Sequence, residues 1–273
     1  MTTVALPAGS GQLGHGLRMI GNEVRKVLHL TWANRAALIF QLGFMTVLYW
    51  MIQYFVGGGR VVPELAAQTF VAYLAFVVTY VSLLRMASGL LEEVHTGTFM
   101  QSLLSPLRPW VLSTGRLVAV VVEGMLVAAV LAVIFLPLLV SHLDFRWQAI
   151  VPAVFTLVDA AGFAMLIGGL ALFVTGVGAV MHVLWNLLLM LNGSFVPIYV
   201  FPAWLEAVAK FWPTALGADA TRQILSDGAS LTELWSDFTM PLVIGHALLM
   251  LLLGWVVFHI GIRRGLKRGR LGP

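Results

Sequence analysis

The chain of 273 residues has no cysteine, only 3 lysines, and just 10% charged residues. The missing cysteine excludes a disulfide framework, thiolate chemistry and any cysteine-ligated metal site. The scarcity of lysine excludes more. A phosphate-binding loop needs Gly-Lys-Ser/Thr, but Lys26, Lys210 and Lys267 follow Arg25, Ala209 and Leu266, so the chain has no route to ATP hydrolysis of that kind. Soluble domains carry about 25% charged residues. With 60% hydrophobic residues and a mean hydropathy of +0.94, most soluble enzymes, disordered scaffolds and nucleic-acid modules are excluded.

What is present is apolar sequence in long runs. A helix needs about 20 mainly apolar residues to cross a ~30 Å hydrocarbon core at about 1.5 Å per residue. Six stretches qualify: 36–56, 65–84, 117–140, 150–174, 177–200 and 239–262. The expected fold is an all-α membrane protein of six spans. Residues 1–35 form an N-terminal segment, 36–262 the spanning domain and 263–273 a basic tail. Residues 1–14 carry neither a basic n-region nor an apolar h-region, so no cleavable signal peptide is expected.

Orientation follows from where the cations fall. Arg18, Arg25, Lys26, Arg35, Arg85, Arg108, Arg116, Arg263, Arg264, Lys267, Arg268 and Arg270 lie on one side of the six spans. Arg60, Arg146, Lys210 and Arg222 lie on the other. By the positive-inside rule this puts both termini in the cytoplasm, and an even span count agrees. The net charge of +4 is thereby assigned to topology rather than to a nucleic-acid surface. Glu64, Asp144, Glu206, Asp219, Asp227, Glu233 and Asp237 fall on the outer side.

Two segments read as surface helices. Leu17, Ile20, Val24, Val27 and Leu28 recur at helical spacing with Arg18, Arg25 and Lys26 between them, the pattern of an amphipathic helix in the inner interface. Trp32 sits where an aromatic belt anchors the first span. Between the fifth and sixth spans, residues 203–212 put Trp204, Leu205, Val208, Phe211 and Trp212 on one face and Glu206 and Lys210 on the other. Pro202 and Pro213 bracket that segment, as helix chemistry prefers. Residues 219–225 are expected to form a second short helix.

The second connection, 85–116, keeps helical apolar spacing through Leu90, Leu91, Val94, Met100, Leu103 and Leu104, broken at Thr96-Gly97-Thr98 and ended by Ser105-Pro106. A bare loop does not need 32 structured residues; a docking element does. Glu93, then Gly97-Thr98, then Leu103-Leu104-Ser105-Pro106 is similar to the cytoplasmic loop of ABC type-2 permeases, the membrane subunits of ATP-driven exporters. Asn192-Gly193-Ser194-Phe195-Val196-Pro197, Phe201-Pro202-Ala203-Trp204-Leu205, Phe211-Trp212-Pro213 and Asp219-Ala220-Thr221-Arg222 resemble that family's fifth-span end and outer hairpin. The resemblance implies two permease subunits, identical or different, with two ATP-binding subunits that carry the ATP and Mg. This chain would bind no cofactor or metal itself. Glu93, Gly97 and Thr98 would couple nucleotide closure to transport across a bacterial plasma membrane. In this sequence Val94 and His95 follow Glu93, where the family carries charge, so the partner of Glu93 stays open.

Ionisable residues inside spans point to function by their cost in hydrocarbon. Glu123, Asp159, His182 and His246 are such residues, and a proton relay through them is the rival reading. It would make the chain a proton-coupled secondary transporter using Asp159 and Glu123. Against it, Glu123 lies near the cytoplasmic end, where it and Arg85 can snorkel, and Asp159 can sit protonated against a neighbouring helix. A substrate path is expected along Phe70, Tyr73, Val77 and Tyr80 of the second span and Trp185, Leu189, Asn192 and Phe195 of the fifth. Asn192-Gly193-Ser194 with Pro197 should break the fifth helix. An apolar, aromatic lining suits an amphipathic drug or lipid-like substrate. Packing of the same residues against neighbouring helices accounts for them equally well.

Overall fold

The computed structural model describes residues 11–99, 109–172 and 177–267. Several residues singled out above lie outside that set: Met100, Leu103, Leu104, Ser105, Pro106, Arg108, Arg268 and Arg270. Among the described residues all regular structure is helical. In chain order it comprises α1 (Gly11–Ala33), α2 (Arg35–Val56), α3 (Pro63–His95), α4 (Pro109–Leu139), α5 (Ile150–Ala171), α6 (Val177–Leu191), α7 (Ala203–Lys210), α8 (Ala215–Ser226), α9 (Leu231–Ser236) and α10 (Thr239–Lys267).

Five of these regions are long and apolar enough to cross a membrane: Arg35–Val56, Pro63–His95, Ser113–His142, Trp147–Ala171 and Thr239–Gly265. The stretch 177–200 departs from the sequence expectation, because α6 stops at Leu191 after 15 residues and reaches only about 22 Å. Its end is built by Asn192. The side-chain amide donates to the Ala72 carbonyl of α3 at 2.9 Å, and its oxygen accepts from Ser194 N at 3.1 Å and Ser194 Oγ at 2.6 Å. Gly193 then takes φ +90°, a conformation glycine adopts without a Cβ clash. Asn192→Ala would leave these buried groups unpaired. It should lower stability by about 2 kcal/mol, read as a fall in the melting temperature of the solubilised protein.

α3 is the central helix. Pro63 opens it at a position where its missing N–H costs nothing, with Glu64 in the first turn. Met86, Leu83, Phe76 and Tyr73 are buried along it, and it packs on α4, α5, α6 and α8. At 33 residues it is about 50 Å long, well beyond a ~30 Å hydrocarbon core. α4, at 31 residues, overshoots similarly, and the two form a hairpin that extends past the span at the end carrying Glu93.

The most extensive helix pair is α5 with α10, and glycine makes it possible. A Cβ on Gly254 would lie 2.2 Å from the Gly162 carbonyl oxygen, and one on Gly261 2.4 Å from that of Gly169. Each helix repeats glycine every seven residues, so the backbones touch twice, two turns apart. α8 is wedged against this pair; a Cβ on Gly217 would meet Thr156 Oγ1 at 2.1 Å. α9 begins with a capping box. Ser230 Oγ accepts from Glu233 N at 3.2 Å, and Ser230 N donates to Glu233 Oε2 at 2.8 Å.

Candidate functional site

Three of the four ionisable residues singled out within the spans fall into two separate clusters. The first joins α1, α3 and α4. Glu123 of α4 is buried, its side chain 3% exposed. Its Oε1 accepts from Thr31 Oγ1 of α1 at 2.7 Å and from Arg85 of α3 at 3.0 Å from Nε and 2.9 Å from the terminal nitrogen. Arg85, expected to snorkel free, is therefore the partner of Glu123, although 46% of its side chain stays exposed. α1 reaches this cluster because its Ile20 and Glu23 lie against Gly115 of α4. One flank of the amphipathic helix thus packs on protein, while Leu17 and Trp32 remain exposed.

Two helical turns further along α3, Glu93 is ion-paired to Arg116 of α4, which supplies the partner that the sequence left open. Its second oxygen, Oε2, is buried without a hydrogen-bond partner among the described residues. α3 ends immediately afterwards. Gly97 N donates to the Val94 carbonyl at 3.2 Å with Gly97 at φ +73°, the left-handed stop that favours glycine at a helix terminus. Thr96 Oγ1 donates to the Glu92 carbonyl at 2.9 Å and lies 2.9 Å from Thr98 Oγ1. Glu93, Gly97 and Thr98 thus occupy a defined, hydrogen-bonded end of α3. Beside it a cleft of about 340 Å³ opens between α1, α3 and α4, lined by Lys26, Arg85, Glu92, Glu93, Arg116 and Glu123 among others.

The second cluster lies where α5 and α10 meet the turn between α7 and α8. Asp159 Oδ2 of α5 accepts the Thr214 amide at 2.7 Å and lies 3.1 Å from His246 Nδ1 of α10. His246 Nε2 is 3.2 Å from the Phe211 carbonyl oxygen. Both side chains are enclosed, at 4% and 7% exposure. Thr214 sits at φ +66°, an outlier for a β-branched residue that costs on the order of 1–3 kcal/mol and persists only where its surroundings over-determine it. Sequence reasoning grouped Asp159 and His246 only within a four-residue relay and did not pair them. Tertiary packing supplies His246, 87 residues away in the chain.

The four intramembrane ionisable residues therefore do not form one chain. Glu123 belongs to the first cluster, Asp159 and His246 to the second, and His182 lies exposed on α6. No group of three or more His, Asp or Glu suited to a metal occurs among the described residues.

Of the residues expected to line a path, Phe70, Tyr73, Val77, Leu189 and Asn192 are buried in the core. Tyr73 donates its hydroxyl to the Met45 carbonyl at 2.6 Å and packs against Tyr49, ring centroids 4.8 Å apart. Tyr80 and Trp185 meet across α3 and α6 at 5.8 Å, with Phe44 of α2 6.3 Å from Trp185. Phe195 is half-buried against the core. In this conformation the aromatic face of α3 is helix packing for most of its length and reaches the half-buried surface at Tyr80.

A bundle with five helical regions long and apolar enough to cross a membrane defines a multi-pass membrane protein. The model of the ABC-2 type transporter family matches residues 23–226, from α1 to the end of α8, and the chain belongs to that family. No curated protein matches it.

Proposed function

We propose that this chain is the membrane subunit of an ATP-driven exporter that moves an amphipathic or hydrophobic substrate, drug or lipid-like, out of a bacterial cell across its plasma membrane. Separate ATP-binding subunits supply the energy, and a second permease subunit, identical or different, completes the path. The observation that carries this reading is the α3–α4 hairpin. It is longer than the bilayer requires, its two helices are joined by the Glu93–Arg116 ion pair, and α3 stops at Gly97 and Thr98. A rigid lever anchored at its root by Glu123 and Arg85 transmits a push on its tip to the core helix α3. On the positive-inside count the hairpin and both termini are cytoplasmic, and the turn between α7 and α8 is outer. α6 with the irregular segment after Leu191 then makes the fifth of six crossings. The exposed Trp204 and Phe211 suit the outer lipid interface.

Glu93→Ala tests the assignment. In proteoliposomes holding the chain with the ATP-binding subunit it captures, the variant should keep ATP hydrolysis within about twofold while transport of a fluorescent phospholipid falls roughly tenfold, the size expected when about 1.4 kcal/mol of coupling is lost. Transport that continues without an ATP-binding subunit and stops when the proton gradient is dissipated would instead establish the secondary-transporter reading. The enclosed Asp159–His246 pair favours that alternative. The attachment of Glu123 to Arg85, in a separate cluster, counts against it.

A further inference from the structure

The Asp159–His246 cluster has no part in the lever, yet it fastens the turn between α7 and α8 to the two helices with the closest backbone contact. We propose that it is a proton-responsive latch: a charged His246 holds the turn down through both ring nitrogens, and loss of that proton loosens it. His246 Nδ1 faces a carboxylate oxygen, and Nε2 faces the Phe211 carbonyl oxygen. Both partners only accept. A neutral imidazole carries one N–H and satisfies one of them; the imidazolium carries two and satisfies both. Asp159 also takes the amide of the strained Thr214, so a single carboxylate ties the turn directly and through the histidine.

The surroundings leave His246 as the responsive group. Asp159 is the only ionisable residue of α5. On α8, Arg222 is ion-paired to Asp219 and to Asp227. On α7, Glu206 and Lys210 pair at 2.7 Å. Glu233 of α9 is engaged in its capping box, and Asp237 accepts from the Thr239 amide. With the proton present both clamps hold. As pH rises through the titration of His246, one donor is lost, the pull on the Phe211 carbonyl goes, and the attraction to Asp159 drops from ionic to neutral. The latch therefore closes at low pH and loosens at high pH. In a permease this would set how readily the outer end opens.

The proposal rests on the topology above only for sidedness. Because the native chain lacks cysteine, single cysteines can be read directly. Ala215→Cys places a thiol at a fully buried site next to Thr214, and Ser236→Cys places one at an exposed control site on α9. Labelling by a membrane-impermeant maleimide is followed from pH 6 to 9 in membranes containing the full transporter. The Ala215→Cys rate is divided by that of the exposed control and then compared with the same ratio in His246→Gln, which carries the same buried thiol and so cancels the thiol's own pH dependence. The normalised rate should climb at least severalfold with pH. His246→Gln should label fast already at pH 6 and lack the extra climb seen in the native background. Asp159→Asn, which keeps an acceptor but removes the charge, should move the midpoint down by about one pH unit. A native climb no steeper than that of His246→Gln, or an unmoved midpoint in Asp159→Asn, overturns the latch. Failure of the control to label from outside overturns the topology alone, because the same ratio in permeabilised membranes still reports the latch.

Discussion

Gly254→Ala should lower the stability of the solubilised protein by about 3 kcal/mol, the upper part of the usual range for overpacking. The added carbon would stand 2.2 Å from the Gly162 carbonyl oxygen. That atom is backbone in the middle of α5 and cannot rotate away, so relief requires the two helices to separate. Separation then loosens the second contact at Gly169 and Gly261 and draws α10 away from Asp159. Gly162→Ala should cost about as much, since its Cβ would meet the Leu251 amide nitrogen at 2.5 Å. The double variant should cost clearly less than the sum, because one displacement relieves both clashes. Gly245→Ala on the same helix has nothing within 4 Å of its Cβ, and it should gain about 0.5–1 kcal/mol from helix propensity. Thermal unfolding monitored by loss of the monodisperse chromatographic peak distinguishes these signs. An unchanged melting temperature in Gly254→Ala would disprove the backbone contact.

Arg85→Met should be the more damaging half of the Glu123 cluster, by about 3 kcal/mol, whereas Glu123→Gln should cost only about 1 kcal/mol. The asymmetry follows from exposure. Removing Arg85 strands a carboxylate that is 3% exposed, and an uncompensated buried charge is the expensive outcome. Removing the carboxylate leaves an arginine already 46% exposed, which can turn toward water or headgroups. The glutamine also still accepts from Thr31. The double variant Arg85→Met/Glu123→Gln should be more stable than Arg85→Met alone, since it removes the stranded charge. The same thermal measurement decides it, and equal costs for the two single variants would show that the pair does not govern this junction.

How much was legible in the sequence differs between elements. The long helices were readable because a bilayer imposes a length and an apolarity on each crossing independently of its neighbours. For 36–56 and 239–262 the structure changes only the ends, to Arg35–Val56 and Thr239–Lys267. The break after Leu191 was readable too, since Asn-Gly-Ser and a following proline are local backbone chemistry. Aromatic periodicity on α3 was read correctly as a shared face. Whether that face meets a substrate or another helix is a packing question, and the structure fills most of it with Tyr49, Phe135 and Met45.

By itself the sequence determined the class of protein, its apolar helices, the absence of an ATP-binding loop and the family resemblance, because each follows from composition or short-range spacing. Only the tertiary structure decided the partners. Arg85 found Glu123 across 38 residues, Arg116 found Glu93 across 23, and His246 found Asp159 across 87. Pairing of buried charges depends on which helix faces meet, and that depends on where glycine lets two backbones touch. The scarcity of charge visible at the outset thus has a structural counterpart: where carboxylates enter the bundle at Glu123 and Asp159, each is met by a cation or a titratable base.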